Sequence, residues 1–311
     1  MSRTVRISQS TWLADGVVRL ELRDPAGAAL PAWEPGAHLS LHLPNGLTRE
    51  YSLCGDPADE HTWTLAVLRE PSSRGGSAWV HERLTPGTLI EADGPRNDFA
   101  LEDAPRHLLI AGGIGITPLL AMAKSLHHRD ADWSMLYCGR SRSSMAFLGD
   151  LPADRVRVHA DDEQGGPPDL AAELAHLEPG TLVYCCGPEP LIAAVEATLP
   201  DTGMLRVERF RAPAVAPATA DAGFDVVCGG SGRRVPVPAG VSILDALAGA
   251  GVAVPSSCRE GVCGTCETKV LAGEPEHRDF LLSDDEKAAG GTMLICVSRS
   301  RSAELVLDVE D

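Results

Sequence analysis

The sequence predicts a multidomain chain: an antiparallel β-barrel, then a parallel α/β sheet, then a small α+β domain. Three observations carry that expectation. At 311 residues the chain exceeds one average domain. Its grammar changes near residue 104, from alternating strands to strands interleaved with helices. A Pro/Ala-rich stretch then sets apart a cysteine-rich last third.

Residues 1–103 read as strands. Val5/Ile7, Val17/Leu20/Leu22 and Leu39/Leu41/Leu43 alternate with polar neighbours, punctuated by the turn signals Asp24-Pro25, Pro44-Asn45-Gly46 and Thr85-Pro86-Gly87. An antiparallel barrel accommodates such a run. In 104–211, His107–Ala111, Trp133–Cys138, Arg155–His159 and Thr181–Cys186 read as buried strands, and Pro118–Leu126 and Pro190–Leu199 have helical character. That alternation predicts a parallel sheet. Residues 212–222, APAVAPATADA, read as a semi-stiff linker. In 223–311, Phe224–Val227 and Val235–Val237 suit a hairpin, Ser242–Ala248 a short helix and Leu305–Val309 a closing strand.

Apolar residues make up 44% of the chain, enough for real cores. Lys+Arg 27 against Asp+Glu 44 leaves a net charge of −17, spread along the chain rather than gathered in a tail. A nucleic-acid or anionic-membrane role is thereby disfavoured. Met1–Ser10 holds no apolar signal region. The most apolar stretch, Leu108–Ala123, is shorter than a span of roughly 20 residues and is broken by Gly112-Gly113 and Thr117-Pro118. Nine cysteines in such a chain point to a reducing, cytoplasmic compartment and to metal or redox use.

Cys258, Cys263 and Cys266 are spaced C-x4-C-x2-C, and Cys296 follows at a distance, the plant-type [2Fe–2S] pattern. A tight loop must aim three thiolates at one cluster. Gly261 and Gly264 let the backbone fold that closely and point N–H groups at sulfur. Ser256, Ser257, Arg259 and Thr265 supply further donors. Structural zinc is the alternative, although zinc ribbons prefer two paired short spacings, and Cys296 has no close partner in sequence. Cys54, Cys138, Cys185 and Cys228 read as core thiols.

Leu108–Pro118, LLIAGGIGITP, is a strand, a glycine turn and a helix start. Such a turn can bring backbone and helix N–H groups to a pyrophosphate. It departs from G-x-G-x-x-G, and βα turns use glycine structurally as well. A second strand end, Tyr184-Cys185-Cys186-Gly187-Pro188, opens another helix, and ligands of such sheets bind at strand carboxyl ends.

Together these motifs resemble the phthalate dioxygenase reductase family, within the ferredoxin–NADP reductase superfamily. The likeness covers the whole chain. Arg49-Glu50-Tyr51-Ser52 matches a flavin motif, Arg74-Gly75-Gly76-Ser77 a flavin-phosphate loop, Gly112–Pro118 the family's G-G-x-G-x-T-P, and Cys186-Gly187-Pro188 its C-G-P. Glu208-Arg209-Phe210 is similar to the segment whose aromatic ring covers the flavin.

The resemblance implies an FMN barrel (1–103), an NAD-binding α/β domain (104–211), a linker (212–222) and a β-grasp ferredoxin domain (223–311). It implies FMN, NADH and a [2Fe–2S] cluster, with electrons delivered to a terminal oxygenase of the Rieske type; a cytochrome P450 is the alternative partner. Arg49, Tyr51, Ser52, Leu53, Arg74, Gly75, Gly76 and Ser77 would hold the flavin. Gly113, Gly115, Thr117, Arg140, Cys186, Gly187 and Pro188 would hold the nucleotide. Ser52, Cys186 and Phe210 would stand at the reacting rings, and Cys258, Cys263, Cys266 and Cys296 would ligate iron. Arg140 and Arg142 are also able in principle to meet a 2′-phosphate.

Overall fold

A computed structural model describes residues 2–71, 75–199, 202–213 and 222–310. Residues 1–209 form one compact unit and 210–311 a second.

In the first unit, strands β1 (Arg3–Ala14), β2 (Val17–Arg23), β3 (His38–His42), β4 (Thr48–Ser52), β5 (Trp63–Leu68) and β6 (Leu89–Arg96) form an antiparallel sheet, ordered β4-β3-β6-β1-β2-β5. A bridge between Leu53 and Leu65 joins the sheet's two ends and closes the barrel. Val5, Ile7, Leu20, Leu22, Leu39, Leu41, Leu53, Trp63 and Leu65 fill its interior. Helix α1 (Gly76–Arg83) packs Val80 against that core.

The chain continues into β7 (Arg106–Gly112), α2 (Ile116–His128), β8 (Trp133–Gly139), β9 (Val156–Ala160), α3 (Asp161–Gln164), α4 (Leu170–Leu174), β10 (Thr181–Cys186), α5 (Glu189–Thr198) and β11 (Leu205–Glu208). The five strands are parallel, in the order β11-β10-β7-β8-β9. Strand β11 was not anticipated, since Leu-Arg-Val-Glu is short and half-buried throughout.

Barrel and parallel sheet share one apolar core. Ala14, Val17, Cys54, Ala66 and Phe99 cluster with Leu109, Ile116, Leu120, Met122 and Tyr184. The Phe99 ring meets Tyr184 edge-on at 5.4 Å, and the Tyr184 hydroxyl donates to Ala100 O at 3.1 Å. Lys124 Nζ donates to Cys54 O at 3.3 Å.

In the second unit, β12 (Phe224–Cys228) and β13 (Arg234–Val237) form the expected hairpin, Phe224 opposite Val237. Helix α6 (Ile243–Gly249) starts where Ser242 accepts the N–H of Asp245, and buries Ile243, Leu244 and Leu247. Next come β14 (Glu267–Ala272), β15 (Pro275–Glu276), α7 (Asp284–Ala289), β16 (Thr292–Leu294), β17 (Arg299–Ser300) and β18 (Glu304–Leu307). The main sheet runs β13-β12-β18-β14-β16, with β18 parallel to β12. One helix across such a mixed sheet is the β-grasp arrangement. Of the 212–222 stretch, residues 214–221 lie outside the described residues.

Candidate functional site: flavin cradle, nucleotide turn and cysteine loop

The flavin motif lies on β4, with Tyr51 opposite Leu39 and Ser52 opposite His38. Arg49 lies against the start of α1: a Cβ on Gly76 would come 2.5 Å from Arg49 Nε. Gly75, the N-cap, has φ +93 and offers no side chain of its own to cap the helix. The guanidinium thus places a positive charge beside the helix's N-terminal end, where the helix dipole also favours an anion. Ser77 Oγ accepts the Glu70 N–H at 3.1 Å, which braces the loop. Arg74 lies outside the described residues. Tyr51 is half-buried and packs against the barrel core, as Leu47 and Trp79 do, and burial pushes its phenol far up. The Ser52 hydroxyl makes no hydrogen bond among the described residues. Leu53 points into the barrel core with its N–H donated to Ala37 O, so its side chain faces no ligand.

At the carboxyl ends of β7 and β10 the two glycine turns pack on each other. A Cβ on Gly115 would lie 2.2 Å from Cys186 O, and one on Gly112 would lie 2.6 Å from Pro188 Cδ. A Cβ on Gly187 would meet Gly112 Cα at 2.9 Å. These glycines are small because another backbone occupies the space. Gly113 differs: its φ is +52 and nothing lies within 4 Å of a built Cβ. Its carbonyl is within reach of the Tyr137 hydroxyl at 3.2 Å. Thr117 is buried and its hydroxyl donates to Ile114 O at 3.0 Å, a local bond that fixes the turn.

Cys186 ends β10 fully buried, and its thiol lies 3.9 Å from Glu208 Oε2 at the end of β11. Burial raises the thiol well above its ordinary value. Burial likewise pushes Glu208 up to about 8, with the Asp98 charge adding to it. Both shifts favour the uncharged forms, a protonated thiol beside a protonated carboxyl. Glu208 was read only as part of a segment; its role is invisible until parallel pairing sets it beside Cys186.

After β8, Arg140 is exposed and its carbonyl accepts the Asp162 N–H at 3.1 Å. Arg142 Nε bonds both carboxylate oxygens of Glu163 at 2.9 and 3.0 Å. A cavity of about 640 Å³, lined by Arg106, Ser134, Arg155 and Arg157, opens at the strands' amino ends, opposite the glycine turns, and belongs to none of these motifs.

In the second unit the four predicted cysteines come together. Their thiols form a row of neighbours, Cys263–Cys258–Cys296–Cys266. Donation from Cys263 and then Cys296 holds the Cys258 thiol far below its usual range. The Glu260 N–H donates to Cys258 Sγ at 3.3 Å, and the Thr265 hydroxyl lies 3.3 Å from Cys263 Sγ. Among the described residues no three metal-binding side chains surround a single-ion point. Four thiols in a row, met by backbone N–H groups, suit a two-iron cluster that takes two thiolates per iron. Arg259 departs from expectation: its guanidinium pairs with Asp245 rather than facing sulfur. Phe210 is 41% exposed.

Two family models match. Residues 226–301 match a 2Fe-2S iron-sulfur cluster binding domain, and 90–208 match the N-terminal domain of a dimethylamine monooxygenase subunit. A phenoxybenzoate dioxygenase subunit beta from Ectopseudomonas oleovorans is 50% identical, over 98% of this chain and 97% of that protein. The solved phthalate dioxygenase reductase structure is 38% identical with a TM-score of 0.73, covering 99% of this chain and 98% of that one. The chain belongs to the phthalate dioxygenase reductase family. It is thus a flavin- and [2Fe–2S]-containing oxidoreductase of an oxygenase system, in a family that binds FMN and NADH. An intact type IV self-sufficient cytochrome P450 monooxygenase is 43% identical with a TM-score of 0.90. That match covers 99% of this chain, and the chain spans 41% of the P450 protein. Among the described residues no helix is long and apolar enough to cross a membrane.

Proposed function

We propose that this chain is the NADH-consuming reductase of a Rieske-type oxygenase, built as a flavin barrel (1–103), a nucleotide domain (104–211), a linker (212–222) and a cluster domain (223–311). One observation carries the reading: similarity along nearly the whole chain to a dioxygenase subunit, joined to a row of four cysteines fit for a cluster. FMN held by the barrel would supply the exchange between hydride and single-electron transfer, and a cluster held by Cys258, Cys263, Cys266 and Cys296 would supply the one-electron exit.

The chain's own residues position and insulate. Arg49, beside the N-terminal end of α1, holds a phosphate by charge. Tyr51 lines the ring face, and the unengaged Ser52 hydroxyl is free to bond the ring's edge. Gly113 leaves room for the pyrophosphate. The Cys186–Glu208 pair closes the nicotinamide end with a thiol and a carboxyl whose charged forms burial disfavours. Coenzyme choice follows from charge. Glu163 occupies Arg142, and the backbone bond from Asp162 N–H to Arg140 O sets the acidic helix Asp161–Gln164 next to both arginines, which disfavours a 2′-phosphate. NADH is preferred.

The test is reconstitution. Loaded with FMN and iron, the chain should support NADH-driven turnover of a purified Rieske oxygenase at rates far above those with a cytochrome P450. The self-sufficient P450 likeness favours the second reading; efficient coupling to a P450 and none to a Rieske protein would install it.

A further inference from the structure

Behind the cysteine loop lies a buried charged group that the electron path does not use. The Asp279 side chain is 0% exposed, and Lys287 Nζ stands 3.8 Å from its Oδ2. The same ammonium donates to Asp279 O at 3.0 Å. Oδ2 accepts the N–H groups of Leu282 at 2.9 Å and Leu281 at 3.3 Å. Oδ1 has no hydrogen-bond partner; the nearly buried His277 ring stands 3.6 Å away with both nitrogens unpartnered.

The position of this segment is what matters. One residue before Asp279, the Arg278 N–H donates to Ser298 Oγ at 3.2 Å, two residues past Cys296. One residue after it, the Phe280 N–H donates to Gly261 O at 2.9 Å, between Cys258 and Cys263. Gly261 presses on it directly, since a Cβ there would come 3.1 Å from Asp279 Cα. Residues 278–280 thus clamp the loop bearing three thiolates to the turn bearing the fourth.

We infer that Asp279 is a positioning residue for the [2Fe–2S] cluster, tying its two ligand loops together and setting its potential through a buried negative charge that Lys287 partly offsets. The carboxylate holds the 279–282 turn in shape, and the turn holds both loops. In a site of low dielectric such a charge opposes the arrival of an electron, and the neighbouring ammonium favours it. Net charge and hydrogen bonding are the levers by which proteins tune iron–sulfur potentials.

The inference rests on cluster occupancy, so iron content is read first, in the full-length protein. Asp279→Asn should keep iron and FMN and reduce FMN with NADH at the unchanged rate. At a fixed redox poise it should raise the reduced-to-oxidised cluster ratio about tenfold, which is 59 mV for a one-electron couple. The electron paramagnetic resonance spectrum of its reduced cluster should shift as well. Lys287→Met should move the ratio the other way. Opposite signs support the charge role; two unshifted potentials, or two shifts of one sign, overturn it. If Asp279→Asn loses its iron, Lys287→Met alone decides: a lowered potential supports the inference and an unchanged one sinks it.

Discussion

At the carboxyl ends of β7 and β10, Gly112, Gly115 and Gly187 are small because each backbone occupies the other's space. In the loop from Cys258 to Cys266, Gly261 and Gly264 hold left-handed φ values of +74 and +70, because the chain must turn back to present its thiolates. The first region spends its motif on itself, and only Gly113 keeps open space. The second also packs Gly261 against Asp279 and Val297, but it does so to aim sulfur atoms at a guest. A glycine motif therefore reports close backbone approach before it reports a ligand, whereas a cysteine spacing names the ligating atoms themselves.

The largest expected break in this comparison is Gly115→Ala. The new methyl meets the Cys186 carbonyl with no room to yield, so thermal denaturation should show a loss of about 3 kcal/mol or more. Gly113→Ala, at φ +52 in open space, should cost only about 1 kcal/mol while raising the KM for NADH. Equal destabilisation by the two would dissolve the distinction.

Next in size is Cys263→Ser. The cluster's visible absorbance and cytochrome c reduction should vanish, while NADH still reduces FMN and drives ferricyanide reduction. Retained cytochrome c activity would mean that the flavin donates directly.

Arg49→Ala should weaken FMN binding by about 1.5–3 kcal/mol, the worth of a hydrogen bond to a charged group. Fluorescence titration of the apoprotein would measure it. Undiminished affinity would place the phosphate elsewhere.

The smallest effect concerns Glu208. Its carboxyl sits at about 8 in the folded chain, above the ordinary 4.5 that the unfolded chain shows. Folding therefore retains a proton between these values. The associated stability is complete below about 4.5 and fades as pH rises through about 8. Glu208→Gln should flatten that part of the Tm-against-pH curve, discounted because the residue is only half-buried. An unchanged slope would show that Glu208 is ionised throughout.

The parallel strands were legible because each is an apolar run between turn signals; Thr181–Cys186 appears as read. The cysteine row was legible because sulfur at those spacings has few other uses. Strand β5 was not: Trp63, Leu65 and Val67 face the barrel core while Ala66 faces the shared core, so burial on both sides erases the alternation that marks a strand. Helix α1 hid because its eight residues begin at a glycine with no capping side chain. Leu53 was drawn into the flavin set by its neighbour Ser52, yet successive strand residues face opposite ways. Arg259 looked like a donor to sulfur until Asp245 claimed it. Glu208 meets Cys186, twenty-two residues away, only through the pairing of β10 with β11, which no local pattern announces.

The core shared by barrel and parallel sheet bears on how such proteins are assembled by recombination. A crossover at 103/104 would strip Ala14, Val17, Cys54 and Ala66 from Leu109, Ile116 and Met122, and leave Tyr184 without Phe99. Each half would then present an apolar face to water. A crossover just past Arg209 falls between two compact units, each with its own apolar clusters among the described residues. The heritable module is the flavin and nucleotide pair taken together, and the cluster domain is the part that can be exchanged.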